Sequence, residues 1–424
     1  MVTRITFPSL FAVLLMSVPI NAATGTTTSF DEFKLKQKAQ YAQFKTDYLA
    51  KYEAFKAQLI DKWGVPEVSS KDTFVSYSAD GNAKLVVDFE KDIIEISIIN
   101  DEIKALNEQE IKALLTQSLN RSPNQLAELE FSLEAPKIEA DKLVEDSTLS
   151  KIGIENLEQL HTIASTAQEI MPSQYQVNVI ERTNKRIDNQ LDEIANLESQ
   201  KPLSDEQKQV KTSIIEDKKQ LSIQREKLLI ANTKTYQINR NRSRIERSAP
   251  FLTDIQENAS EHGIDVNLVL AVTETESHFN PLAKSSIPAF GLMQIVPATA
   301  GADVNKFTLK KKGLPDAKTL YESEQNLFYG AAYLNLLTQR FLNGIENPTS
   351  RLYCTIAAYN TGIGNVSKAF NGGVNNRVKA IEQINRLSHQ EVFDTLQKRT
   401  PTETQRYLQK VLASKDYFAS NNRL

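Results

Sequence analysis

The chain has 424 residues, of which 40% are hydrophobic and 24% charged. That balance is ordinary for a globular protein, and the length suits two or three domains, each burying its own core. A formal net charge of -3 supplies no basic field, which excludes nucleic acid as the expected partner.

The first element reads as an address rather than a fold. MVTRITFPSLFAVLLMSVPINAATG combines Arg4, an apolar run from Leu10 to Val18 and small residues after Pro19. This layout predicts a secretory leader over 1–22, cleaved after Ala22 or Ala23. The run is too short to span a bilayer comfortably, and none like it follows, so the mature chain is expected to be exported and soluble. Cys354 is the single cysteine, which excludes an intramolecular disulfide. The four histidines are scattered without metal-ligand spacing, so neither a metal nor another cofactor is expected.

Next comes a helical pattern. Ser29 and Glu32 form a capping box, and Tyr41, Phe44, Tyr48, Tyr52, Phe55 and Leu59 recur at three- and four-residue steps until Gly64. The stretch FVSYSADGNAKLVVDFEKDIIEISIIN reads as a β-meander with turns at Asp80-Gly81 and Lys91-Asp92. Glu102 to Leu119 returns to helix. Together these predict an N-terminal α+β domain over 23–175, with no catalytic motif.

Residues 183–232 are rich in Lys, Gln and Glu. Ile187, Leu191 and Ile194 make one apolar stripe, Ile214, Leu221 and Leu228 another, with Pro202 between. This predicts a charged helical hairpin. QYQVNVIE before it and TYQINRN after it look like strands, so 176–245 is expected to be a strand-flanked insertion or linker. The N-terminal domain or the hairpin is a candidate surface for protein partners.

From 246 to 424 the pattern is a series of punctuated helices. Gly263 ends one and Asp265 caps the next. Ser388 with Glu391, and Thr400 with Glu403, read as capping boxes. The expected class is α+β, mainly α, with an all-α C-terminal domain.

The stretch AVTETESHFNPLAKSSIPAFGLMQ holds Glu274 and Glu276 on the helix begun at Asp265. Leu268, Val272 and Glu276 share one face, whereas Glu274 lies about 200° around the axis and is expected to meet water. A carboxyl against apolar walls is held neutral, as a general acid at neutral pH requires. On the helical face alone, a glutamate merely paired with an arginine is as good a reading. The surroundings favour chemistry. Gly291-Leu292-Met293-Gln294 sets a Cβ-free residue, where a ligand could approach, beside an amide, and Ala358-Tyr359-Asn360 precedes two glycines.

With Glu276-Ser277, Gly291-Leu292-Met293-Gln294 and Ala358-Tyr359-Asn360 in this order, the sequence resembles the soluble lytic transglycosylase family. The resemblance spans residues 248 to 418 and implies a goose-lysozyme-like α fold for the C-terminal domain. It implies cleavage of peptidoglycan glycan strands between N-acetylmuramic acid and N-acetylglucosamine, leaving 1,6-anhydromuramyl ends. It makes Glu276 the catalytic acid and base, with Ser277 holding the local turn and Ser285 and Gln294 in the sugar groove. Met293 would line its floor, Tyr359 would bond the glutamate or the substrate, and Asn360 would fix the turn. Tyr407 matches a further groove tyrosine, and Asn326, Gly330 and Tyr333 match packing positions. Two departures stand out. The member most resembled is lipid-anchored through a cysteine at the leader cleavage site, which this chain lacks, and a groove serine of the family is replaced by Ile287 before Pro288. A goose-type hydrolase and a non-catalytic peptidoglycan-binding scaffold are the competing readings.

Overall fold

In a computed structural model the chain divides into Met1–Phe44 and Lys45–Leu424. The structure describes residues 46, 50–78, 81–99, 115–116, 119–123, 125, 147–152, 168–200, 202–203, 205–224, 232–237, 244–285 and 289–421. The leader, the Ser29–Glu32 capping box, Tyr41, Phe44, Tyr48, Asp80, Leu228 and Ile287 lie outside these residues.

Helix α1 covers residues 50–63 and buries Phe55, Leu59 and Trp63 at the three- and four-residue spacing read from the sequence. It stops at Gly64, whose φ of 78° is the left-handed conformation that frees the chain from the helix. The meander follows as β1 (Thr73–Tyr77), β2 (Ala83–Asp88) and β3 (Ile93–Ile98). At the β2–β3 turn the Asp88 carboxylate accepts from the amides of Glu90 and Lys91, at 3.1 and 2.9 Å.

The sheet has five antiparallel strands in the order β1-β2-β3-β5-β4, where β4 is Gln168–Ile170 and β5 is Asn232–Gln237. Between β4 and β5 runs the helical hairpin, α2 (Pro172–Gln200) and α3 (Asp205–Gln224). The hairpin is therefore flanked by paired strands, but QYQVNVIE is not one of them. Those residues form the first turns of α2. Tyr175, Val179, Arg182 and Arg186 recur at helical steps and are buried, and that face outweighs the β preference of Val177 and Val179. Pro172 supplies the fixed first-turn φ.

The hairpin packs on the N-terminal part. Ile187, Ile194, Ile214 and Leu221 join Phe55, Leu59, Trp63 and Tyr77 in one core. Four buried charges fasten α2 to the sheet. Arg182 donates to both Glu67 and Glu95, at 2.8 Å for the Nη2–Oε1 bond to Glu95, and Lys84 donates to Glu67 at 2.5 Å. The Lys84 ammonium also lies over the Trp63 and Tyr175 rings. Each charge is matched, the condition for keeping such a group out of water.

The C-terminal part is helical. Helix α4 (Leu252–His262) ends at Gly263, and α5 (Val266–Ser277) starts on Asp265, whose side chain accepts from the amide of Asn267. Helices α6 (Ser323–Asn335) and α7 (Pro348–Thr361) follow; then α8 (His389–Arg399), opened by the Ser388–Glu391 capping box; and last α9 (Thr402–Asn421). The second expected box does not form. The Thr400 hydroxyl donates to Leu396 at 2.7 Å, closing α8, and Glu403 instead accepts from Asn360. In α5, residues 268 to 274 are all buried, so this helix is the axis around which the others pack.

Candidate active site

Helix α5 ends in two successive non-glycine residues with positive φ, His278 at 53° and Phe279 at 63°. Left-handed backbone at such residues persists only when the surroundings impose it. Here the imposition is visible: Phe279 is buried between the Phe251 and Phe418 rings, and Asn280, wholly buried, accepts from Leu282 and donates to the Lys71 carbonyl at 3.1 Å. The last turn of α5, which bears Glu276, is thereby fixed from both the helical part and the entry to β1.

Glu276 is half-buried, and the Tyr407 hydroxyl donates to its Oε1 at 2.7 Å. Desolvation is the dominant influence and pushes the carboxyl up to about 7. The nearby Glu403 adds to the rise, while Lys71 and the Tyr407 hydrogen bond oppose it. A carboxyl poised at that value holds its proton near neutrality and can also give it up.

Glu274 does not meet water. It is buried, its carboxylate takes both Arg244 Nε at 2.5 Å and Arg244 Nη2, and Ser414 Oγ donates to it at 2.6 Å. Residues 268 to 274 of α5 are all buried, so Glu274 faces Arg244 and, on α9, Ser414 rather than solvent. Glu274 is therefore the arginine-paired glutamate of the two, whereas the hydrogen-bond partner of Glu276 is the neutral Tyr407 hydroxyl.

The loop after α5 is built around buried amides. Gly291 has φ 72°, and a Cβ there would stand 2.4 Å from both Asn326 Nδ2 and the Leu320 carbonyl. The missing side chain makes room for Asn326, not for a ligand. Asn326 donates to the carbonyls of Phe290 and Leu320 and accepts from the Met293 amide, each at 2.7 Å. Met293 is wholly buried against Gly330, so it supports the loop from inside instead of presenting a floor. Ser277 is buried too. Its hydroxyl lies 2.7 Å from the Leu292 carbonyl and ties α5 to the loop, out of reach of any sugar. The Tyr359 hydroxyl donates to the Met293 carbonyl at 2.8 Å, so Tyr407, not Tyr359, is the glutamate's partner.

Gln294, half-buried with φ 50°, donates to the Gly291 carbonyl at 3.1 Å. Ser285 is half-buried, and its hydroxyl accepts from the Ala289 amide at 3.2 Å. Asn360 donates to Glu403 Oε1 at 3.1 Å and accepts from Thr404 Oγ1 at 2.7 Å, so it joins α7 to α9. From the hairpin, Asn196 donates to the Asn360 carbonyl at 3.3 Å and accepts from the Thr361 hydroxyl at 2.6 Å. Three contributors were missed in the sequence: Lys71, Asn196 and Glu403. Glu403 had a signal, acid three residues after Thr400, but it was read as a cap. Lys71 and Asn196 carry no local signal, since only the fold brings them here.

Residues 254–381 match the family model described as the Transglycosylase SLT domain, a range that includes Glu276, the 291–294 loop and Tyr359. The chain is similar to membrane-bound lytic murein transglycosylase C of Salmonella arizonae, 41% identical over 167 residues, 39% of this chain and 45% of that protein. The protein of the same name from Yersinia pestis is 43% identical over 175 residues, 41% of this chain and 48% of that one. The chain thus spans about half the length of these curated relatives. Among solved structures, the lytic transglycosylase Slt of Pseudomonas aeruginosa is 28% identical, covering 40% of this chain and 24% of its own, with a TM-score of 0.29. The 70 kDa soluble lytic transglycosylase of Escherichia coli is 26% identical over the same shares, with a TM-score of 0.31. Superpositions at those scores add nothing to the fold description; the likeness rests on sequence.

Proposed function

We propose that this chain, with its SLT domain over residues 254–381, is a peptidoglycan lytic transglycosylase that cleaves the β-1,4 bond between N-acetylmuramic acid and N-acetylglucosamine. The observation that carries the reading is the isolation of one proton-bearing carboxyl. Glu276 reaches the surface with its titration near 7. Glu274 is committed to Arg244 and Ser414. Glu403 is held by Asn360 through Oε1, and its Oε2 is closed to solvent. Neither can flank a scissile bond as the second carboxyl of a usual glycosidase pair.

A site with one available carboxyl takes its nucleophile from the substrate. Glu276 gives its proton to the glycosidic oxygen as the bond to the muramyl C1 breaks, and the muramyl 2-acetamido oxygen closes on C1. The carboxylate so formed then accepts the proton of the muramyl 6-hydroxyl. That oxygen attacks C1, the acetamido oxygen leaves, and a 1,6-anhydro ring results with Glu276 protonated again and no water consumed. Tyr407 orients the carboxyl throughout, while Gln294, Ser285 and the 291–294 loop shape the glycan site.

We read residues 246–424 as the catalytic domain, preceded by an α+β domain over 23–175 and a hairpin linker or insertion over 176–245. The leader over 1–22 directs the chain to the periplasm, where its substrate lies. No helix among the described residues is long and apolar enough to cross a membrane. Mass spectrometry of digested sacculi tests the chemistry: anhydromuramyl ends are expected. Reducing muramyl ends would make the protein a goose-type hydrolase, and intact strands would make it a binding scaffold.

A further inference from the structure

The site holds a cation from outside the helical part. Lys71 immediately precedes the strands of the sheet, and its side chain is half-buried. Its main chain is pinned to the end of the Glu276 helix, because Asn280 donates to its carbonyl at 3.1 Å. The next residue is pinned as well: Asp72 is buried, pairs with Lys185 of α2 and lies 3.6 Å from His278, the cap of α5. With its own carbonyl and the next residue both anchored, the Lys71 backbone is fixed beside the end of the Glu276 helix. Its ammonium acts electrostatically on Asp72, Glu276, Glu193 and Glu403, which come from four different segments. Among the described residues it is hydrogen-bonded to none of them, so it is shared.

We propose that Lys71 is a positioning residue of the catalytic site: the fixed counter-charge that lets Glu276 carry negative charge in the second half of its cycle. This rests on the reading of Glu276 as acid and then base. A dry pocket alone serves the acid step and opposes the base step, since desolvation penalises the carboxylate. An ion pair in direct contact would do the reverse and strip the proton permanently. A cation held beyond hydrogen-bond reach lowers the cost of the anion without discharging the acid. Among the described residues, the other charged and titratable groups acting on Glu276 are Tyr407 and Glu403 on α9 and Tyr359 on α7. Two of them are neutral phenols and the third is a carboxyl, so Lys71 is the cation among them. The arrangement also makes the α+β part a contributor to the chemistry instead of a tether.

The test is a titration of Glu276 in the full chain, read by carbon-13 NMR of labelled glutamate side chains and assigned with Glu276→Gln. Lys71→Met and Lys71→Gln are expected to move the midpoint up by about one pH unit, the lower end of what a nearby opposite charge does. Lys71→Arg is expected to restore it. The alkaline limb of the pH–rate profile should move by the same amount, which a merely structural lysine would not cause. An unmoved midpoint in whichever neutral variant folds, judged by circular dichroism, would overturn the proposal. The titration needs no substrate. A shifted midpoint, with no anhydromuramyl products from the unaltered protein, would uphold Lys71 as the counter-charge of Glu276 but overturn the catalytic cycle it is proposed to serve; normal products with an unmoved midpoint would overturn Lys71 alone.

Discussion

Gly330→Ala perturbs the candidate site from behind. A Cβ at Gly330 would stand 2.0 Å from Met293 Sδ, 2.7 Å from Cε and 2.9 Å from Cβ. A methionine tip can usually swing aside, but contact with its Cβ requires the backbone of the 291–294 loop to shift. That loop is held by the Met293 amide to Asn326 and by the Met293 carbonyl to Tyr359, at 2.7 and 2.8 Å. Overpacking of this kind costs about 2 kcal/mol, a fall in melting temperature of roughly 4–8 °C for a domain of this size. Cleavage should suffer more than stability, by about 10- to 100-fold, since Gln294 and the loop move relative to Glu276. Thermal melts followed by circular dichroism, with turnover measured well below the transition, separate the two effects. Met293→Ala alone should also destabilise, by about 2–5 kcal/mol, through the cavity it leaves. In the double variant the added methyl partly fills that cavity, so the combined loss should be smaller than the sum by roughly 1 kcal/mol or more. Strict additivity, or a Gly330→Ala protein with unchanged melting and turnover, would refute the packing argument.

Glu276→Gln keeps the shape and hydrogen-bonding length of the side chain but removes the transferable proton; turnover should vanish while glycan binding, measured by sacculus pull-down, persists. Because the folded carboxyl titrates near 7, a step needing its protonated form should weaken as pH rises through that value. Tyr407→Phe removes a hydrogen bond that favours the anion, so the same limb in a pH–rate profile should move to higher pH. In the N-terminal sheet, Arg182 and Lys84 outweigh desolvation and hold Glu67 down at about 2. A carboxyl depressed on folding contributes stability above its unfolded value, about 4.3, that is lost as pH falls toward the folded one. Melting temperature should therefore drop between pH 4 and pH 2, and a Glu67→Gln variant should lose that slope.

The polar site was legible where chemistry depends on spacing along one helix. Leu268, Val272 and Glu276 did share a face, and Ile187, Ile194, Ile214 and Leu221 did mark the buried seam of the hairpin. Errors arose where an element's surroundings decide. Glu274 was expected in water because one helical face is usually wet. Yet the unbroken run Leu268 to Val272 is the signature of a helix apolar all round, and it carried that information. QYQVNVIE was read by β propensity when its buried positions recur at helical steps. Thr400 and Glu403 had the spacing of a cap, but a buried amide on another helix, Asn360, competes for the carboxylate. Gly291 was assigned to ligand approach, and only the fold shows that Asn326 occupies the space. Lys71 and Asn196 lie some two hundred and one hundred and sixty positions from their partners, a separation over which no periodicity speaks.

The Asn196 side chain has a consequence for how this architecture can be rearranged. One amide from the long hairpin helix satisfies the main chain of Asn360 and the hydroxyl of Thr361 together. A transplanted helical block, grafted onto some other scaffold, would lose the donor to the Asn360 carbonyl and the acceptor of the Thr361 hydroxyl, which would keep the bond it accepts from Asn365. Recombination of this module therefore has to bring a substitute donor and acceptor along, or find water that can stand in at both places.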